Sequence, residues 1–324
     1  MKTIKPIYLL LILILFIPIL PATSHALEHE SYAILFSGGG DKDSNYTRYY
    51  DETLRMWRIM TSTLGFDYDK VYVLFADGLD PDDDRCVGWD TTDPSNPVCN
   101  KWENSDWSEI ESENGVILSA TYNDLKESID TIAGLVTLND SFHFWSFDHG
   151  YNETYNSRLQ DIGAYPYGST HNLGGLVAWG GLIPDDVFAS WVQDINAMAE
   201  DYIFAECFAG EMVDNLNIIQ GDHEFAAWAA DWYEPSWGQG WADAWADGLE
   251  SGLRSTWSLG QYALEKDPFS KPYGDWGNEK EHPGWTGYNF NIVSNQAAVP
   301  EPSTFLLLAA GLAGLAFVRR KTRS

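Results

Sequence analysis

The sequence predicts an α/β domain, a mostly parallel central sheet with helices on both faces, and three observations lead there. Short apolar runs recur along the chain, at 32–36, 70–75, 141–147 and 202–205. Between them lie longer segments whose apolar residues recur with the period of a helix. Strand and helix alternate throughout, the pattern of parallel strands joined by covering helices.

Taken in order, Tyr32-Ala-Ile-Leu-Phe36 reads as the first strand, bounded by Ser37 and the glycines 38–40. No Lys-Ser or Lys-Thr follows that glycine run, so it is not a phosphate loop. A helix is expected from about Tyr49 to Leu64, with Leu54, Trp57, Thr61 and Leu64 on one packing face, ended by Gly65. Lys70–Phe75 is the second strand. Residues 76–115 lack periodicity and are rich in Asp, Pro, Asn and Gly, which predicts an Asp-rich insertion loop. Thr121 reads as the N-cap of a helix running to Leu135. The apolar run 141–147 is the third strand, followed by a Gly/Tyr/Asn-rich loop over 150–183. Pro184-Asp185-Asp186 opens a helix reaching about Ala199. Tyr202–Ala205 and His223–Ala230 are further strands, and 243–264 is helical with a break near Gly252. Within 267–298 only Tyr288–Val293 is strand-like.

The two ends differ from this pattern. Residues 1–26 carry Lys2 and Lys5, an apolar run from Ile7 to Leu20, and Ser24-His25-Ala26, the parts of a secretory signal. The run is short and stops at Pro21, which disfavours a transmembrane helix. At the other end, Val299-Pro300-Glu301-Pro302-Ser303-Thr304, an apolar segment 305–318 and Arg319-Arg320-Lys321 together resemble the PEP-CTERM sorting tail of Gram-negative bacteria. That resemblance implies transient anchoring in the inner membrane with the basic end cytoplasmic, and removal of the tail by an exosortase-type enzyme. The mature protein then lies in the periplasm, on the cell surface or in the extracellular matrix.

The remaining region, 27–298, is long enough for one sizeable core. The signal segment takes two of the 19 basic residues and the tail four, leaving 13 against 47 acidic ones and a formal charge of −34. Such acidity excludes nucleic acid as a partner, because no basic stripe exists to meet phosphates. It is compatible with divalent cations, and Asp80, Asp82 and Asp84 begin like a calcium loop. Arg85 stands where that loop needs Gly and Thr91 where it needs Glu, so calcium at Asp80–Asp93 is the less favoured reading beside a solvated turn cluster. No Cys/His cluster has zinc-ligand spacing, and no metal or other cofactor is expected. Of three cysteines, Cys86 and Cys99 are expected to form a disulfide, worth about 3 kcal/mol by loop-closure entropy, with Cys207 outside it.

The chemistry is expected at two strand ends. Asp201–Met212 runs from an apolar strand through Cys207 into a turn with Gly210, and Ser141–Gly150 runs from an apolar strand into Asp148-His149-Gly150. Ligands of open α/β sheets bind beyond the carboxyl ends of strands, so a thiol and an imidazole delivered there make a nucleophile and its proton shuttle. A lone cysteine on an apolar strand is ordinarily inert core. The His-Gly strand end and the Gly210 turn weigh against that blander reading. His143 lies inside its strand as a structural residue, and His171 and His223 have no evident partners.

With these segments the chain resembles the caspase/legumain-like (clan CD) cysteine peptidases, nearest the legumain-like branch. The resemblance rests on Asp148-His149-Gly150, Glu206-Cys207-Phe208-Ala209-Gly210, the Asn45-Tyr46 loop and Glu234-Pro235-Ser236-Trp237. It implies a caspase-like three-layer sandwich over roughly 30–265 and a cysteine endopeptidase acting on a peptide or protein substrate through an acyl-enzyme. In it Cys207 is the nucleophile, His149 the proton donor to the leaving amine, and the amides of Gly150 and Cys207 the oxyanion hole. Ser236 and Trp237 would line the P1 pocket, and Ala205, at the position two before the cysteine, would be a substrate-binding residue with them. The legumain branch has an acidic residue two positions before the cysteine, where this chain has Ala205, so asparagine recognition at that position is not implied. Arg48, in a Thr47-Arg48 pair after the first strand, is instead the candidate partner of an acidic P1 side chain. Tryptophan supplies the competing reading. Trp228, Trp232, Trp237, Trp241 and Trp245 crowd one region of a chain with 15 of them, and exposed indoles stack sugars. A polysaccharide-binding surface protein with a decayed peptidase site would also carry them; core packing is their plainest explanation.

Overall fold

The computed structural model describes residues 29–92, 98–152, 174–216, 223–230, 236, 239–267 and 283–292. They build a seven-stranded sheet, and the parallel architecture expected from the strand–helix alternation is observed. The elements in chain order are β1 (Ser31–Ser37), α1 (Thr47–Arg58), β2 (Val71–Phe75), β3 (Arg85–Asp90), β4 (Val98–Glu103), α2 (Ser108–Ser112), β5 (Val116–Leu118), α3 (Tyr122–Ala133) and β6 (Ser141–Ser146). They continue with β7 (Gly150–Asn152), β8 (Gly174–Ala178), β9 (Gly181–Pro184), α4 (Asp185–Val192), β10 (Ala199–Phe204), α5 (Glu211–Asp214), β11 (Glu224–Trp228), α6 (Gly240–Glu250), α7 (Thr256–Lys266) and β12 (Gly284–Gly287).

The main sheet has the order β12-β11-β10-β6-β1-β2-β5. All pairs are parallel except the last edge, where β12 runs antiparallel to β11. The apolar runs are continuous because both faces are covered. On β1, Ala33 and Leu35 join one core cluster, while Tyr32, Ile34 and Phe36 join the other. β6 does the same, sending Trp145 to one side and Phe142 and Phe144 to the other. Burying one such aromatic side chain is worth about 1.5–3 kcal/mol. α1, α6 and α7 cover the first face and α3 and α4 the second. The result is a three-layer α/β sandwich.

Most boundaries fall near their sequence positions. Thr121 caps α3 by accepting the Asp124 amide at 3.2 Å. The helix from α1 ends in a π turn at Ile59–Thr63, then at Gly65 with φ +79°. Gly252, at φ +97°, separates α6 from α7. α4 stops at Val192 rather than near Ala199.

Two loop expectations are corrected. Residues 76–115 are not structureless: β3 and β4 pair as an antiparallel hairpin, followed by α2 and β5. The hairpin is closed by the Cys86–Cys99 disulfide, and irregular pairing around Gly88 breaks the alternation that would have marked it. The described parts of 150–183 form a three-stranded antiparallel sheet, β7-β8-β9. In the carboxyl-terminal stretch, β12 supplies the edge strand at 284–287, ahead of the strand-like 288–293.

Candidate active site

β6 and β10 are neighbours running the same way, with Ser146 opposite Phe204. Three residues beyond each stand His149 and Cys207, so both leave the sheet at the same level. Their backbones touch: a Cβ added at Gly150 would sit 1.6 Å from the Cys207 carbonyl oxygen. Only glycine lets the His149 strand end lie against the cysteine turn. Cys207 is half-buried and in no disulfide. The next residue, Phe208, has φ +57°, a left-handed conformation that bulky side chains rarely adopt. Its burial and the Gly210 amide bond to Ala230 O (2.9 Å) hold it there. Strain of this kind concentrates at functional turns. The Ser236 amide donates to Cys207 Sγ at 3.2 Å, so Ser236 meets the sulfur through its backbone. Trp237 lies outside the described residues.

The His149 ring is held on both nitrogens. Nε2 lies 3.0 Å from the Ser44 carbonyl, which can only accept, so Nε2 carries the hydrogen. That leaves Nδ1 as the acceptor, 3.3 Å from the Tyr49 hydroxyl. The rings of Tyr46 and Tyr49 meet it edge-on at 5.0 and 5.3 Å. Loss of solvent is the main reason its pKa falls to about 4; the Ser44 bond opposes this. At neutral pH the ring is therefore uncharged. Burial, with Asp148 adding repulsion, holds the Tyr49 phenol well above its ordinary pKa, so it stays protonated and donates.

Beneath the pair lie two buried carboxyls. Asp148 accepts the amides of Gly39 and His149, each at 2.6 Å, tying the β1 exit loop to the histidine turn. Burial lifts its pKa to about 7 despite those bonds. Glu206 takes the Ser146 hydroxyl at 2.7 Å on one oxygen, while its Oε1 is buried with no hydrogen-bond partner among the described residues. Burial, with Asp148 adding repulsion, raises its pKa well above the usual range. Ala205, expected to touch substrate, is 2% exposed and packed into the first core cluster, so its methyl faces the core.

Arg48 stands one residue from this centre. It donates to the Tyr49 hydroxyl at 3.1 Å and lies over the rings of Tyr46 and Tyr49 at 4.5 and 4.9 Å. Among the described residues no carboxylate comes within ion-pair distance of it. The disulfide hairpin is stitched to the same segment. The Cys86 amide donates to Asn45 O at 2.7 Å, Thr47 Oγ1 donates to Cys86 O at 3.0 Å, and Asn45 Nδ2 donates to Asp84 O at 2.7 Å.

The structure thus brings together Cys207, His149, Gly150, Ser236 and Arg48. Sequence reasoning missed Ser44, whose contribution is a carbonyl without sequence signal. It also missed Tyr49, which reads as one more aromatic on a helix face.

In the Asp80–Asp93 loop, Asp80 caps the turn at the Asp82 amide (3.0 Å), Asp84 points inward to the Ser105 hydroxyl (3.0 Å), and Asp93 lies outside the described residues. A different acidic trio, Asp185, Glu211 and Asp214, offers oxygens within 4.8 Å of one another. There Asn215 already donates to Asp185 (2.8 Å) and Asn152 to Glu211 (3.1 Å). Of the five clustered tryptophans, Trp241 and Trp245 stack 5.4 Å apart inside the core, Trp228 is half-buried, and Trp232 and Trp237 lie outside the described residues. His143, as expected, is a buried strand residue, and His223 lies 3.8 Å from Glu200. His171 is outside the described residues.

Residues 298–321 match the PEP-CTERM protein-sorting motif. The tail therefore carries a sorting signal, of the kind recognised by an exosortase at the C-terminus. No curated protein matches the chain. Among solved structures it is similar to protein GSU0716 from Geobacter sulfurreducens, at 11% identity and TM-score 0.45, over 83% of this chain and 98% of that one. It is also similar to the caspase drICE, at 10% identity and TM-score 0.41, over 82% and 91%. Both scores lie below 0.5, so neither carries an activity to this chain. Among the described residues no helix is long and apolar enough to cross a membrane.

Proposed function

We propose that the protein is an exported cysteine endopeptidase working through Cys207 and His149. The observation that carries this reading is the shared exit of the two residues from adjacent parallel strands, with Gly150 packed on the Cys207 carbonyl. The neutral His149 ring, its Nε2 hydrogen bound to Ser44, takes the thiol proton on Nδ1 in exchange for the long 3.3 Å bond that the Tyr49 hydroxyl makes there. The sulfur then adds to the scissile carbonyl, and the charge that develops on oxygen is met by the amides of Gly150 and Cys207. As the C–N bond breaks, Nδ1 returns its proton to the leaving amine. Water next gives a proton to His149, adds to the thioester and releases the acid and the Cys207 thiol. The Ser236 amide on Sγ favours the thiolate. Arg48 is the group for an acidic P1 side chain, being a cation beside the centre with no carboxylate at ion-pair distance among the described residues.

On this reading the signal segment and the sorting tail deliver the domain across the inner membrane, to the periplasm or cell surface, where the tail is cut. The test is chemical. Iodoacetamide should label Cys207 selectively and abolish hydrolysis of a broad peptide library, with acidic P1 peptides cleaved best and Arg48→Ala losing that preference. Turnover that survives complete labelling, or that is unchanged in Cys207→Ala, overturns the assignment.

A further inference from the structure

We propose that the disulfide-closed hairpin forms a wall of the substrate cleft and that Trp89, with Tyr46, makes a subsite for a large apolar or aromatic substrate side chain close to the scissile bond. This rests on the peptidase reading of Cys207 and His149. Trp89 is 38% exposed, one of two exposed tryptophans among the described residues. Its ring meets Tyr46 edge-on at 5.0 Å, and Tyr46 meets His149 at 5.0 Å. One aromatic ring therefore separates an exposed indole from the proposed proton shuttle.

The indole is held where it is. Trp89 pairs with Cys99 across the hairpin, and Cys99 is bonded to Cys86. Cys86 is joined by backbone to the Asn45–Thr47 segment that carries Tyr46. At the other end of the hairpin, the Trp102 indole donates to Asp43 at 2.8 Å, and Lys42 lies 5.2 Å above its ring. The hairpin is thus fastened along the β1 exit loop, which gives Ser44 O to His149. Rigid aromatic surface already ordered by packing loses little freedom on binding, so an apolar side chain laid against it gains affinity efficiently. Arg48, over Tyr46 on this wall, places a cation next to the apolar surface. The chemistry recognised is then an acidic residue with a bulky apolar neighbour.

The experiment compares wild type, Trp89→Phe and Trp89→Ala on a positional-scanning peptide library, with thermal melts to confirm folding. The wild type should favour aromatic residues at one position flanking the cleaved bond. In Trp89→Ala the ratio of kcat/KM for Phe-containing over Ala-containing peptides at that position should fall about tenfold, carried by KM, and Trp89→Phe should restore most of it. A uniform fall across all peptides, or no change in the ratio, overturns the subsite. If the wild type cleaves no peptide, the peptidase reading fails by itself. The subsite is then read by equilibrium binding of the same library to Cys207→Ala with and without Trp89→Ala. A selective loss of aromatic peptides supports it, and equal binding overturns it.

Discussion

Two histidines, one inside β6 and one just past its end, make the most informative contrast in the molecule. His143, within β6, lies in a hydrogen-bonded line: Nδ1 is 2.9 Å from Asp201 and Nε2 is 3.1 Å from the Ser141 hydroxyl, which in turn donates to Ser31 at 2.8 Å. By connectivity alone this is a serine, histidine and aspartate in sequence. His149, just past the strand tip, has among the described residues no carboxylate on its ring, only a carbonyl and a phenol. Yet His143 is 1% exposed under Phe66, with Ser141 and Asp201 sealed beside it, so no substrate can arrive. His149 opens beside a half-buried thiol. Hydrogen-bond order does not make a site; position relative to the strand tips does.

The largest expected effects fall on this contrast. His149→Ala should reduce peptide turnover by about 10³-fold or more while changing unfolding free energy by no more than about 1 kcal/mol. His143→Ala should do the reverse. It strands Asp201 in the core, which costs on the order of 3–5 kcal/mol, and leaves turnover per folded molecule near wild type. Urea melts with active-site titration separate the two; equal effects of each variant on both readouts would mean that the two histidines do not differ in role.

Next is the hairpin. Cys86→Ser with Cys99→Ser should lower stability by about 3 kcal/mol. It should also lower kcat several-fold, because the Asn45–Thr47 segment beside Ser44 loses its tether. A kcat equal to wild type in the folded double variant would show that the disulfide serves stability alone.

The smallest effect concerns pH. Asp148 titrates at about 7 in the fold against about 3.8 unfolded, so its stabilisation is complete below pH 3.8 and is lost as pH rises through 7. Glu52 (about 8) and Asp185 (about 7) act in the same direction. His149 acts oppositely, since its depressed pKa costs stability as pH falls from 6.5 through 4. Three carboxyls outweigh one imidazole, so the melting temperature should be higher at pH 5 than at pH 8 by roughly 5 °C. Turnover should lose its acid limb near pH 4 rather than near 6.5, as the Nδ1 acceptor is taken by a proton. A limb at 6.5 would mean that His149 is solvated.

What was legible in the sequence follows from what side chains can signal. β1, β2, β6 and β10 announce themselves because each is covered on both faces and so carries a run of apolar residues, in β10 the stretch Tyr202–Phe204 after the buried Glu200 and Asp201. The ends of β6 and β10 are marked because glycine and polar residues replace apolar ones there. The hairpin left only its two cysteines as a trace, its alternation broken near Gly88. The Ser44 carbonyl and the left-handed backbone at Phe208 belong to the main chain, which any residue could supply in name. Ala205 misled because a family position predicts a location along the chain, whereas the pleat decides which side the methyl faces.

The in-step pairing of β6 with β10 has a consequence for how such a centre can change. Losing or gaining one residue within either strand would swing its tip side chain to the opposite layer and shift it by about 3.3 Å. The distance between sulfur and ring is therefore quantised: length variation is tolerated only in the connecting chain between the two strands, and within them the spacing is inherited whole or destroyed.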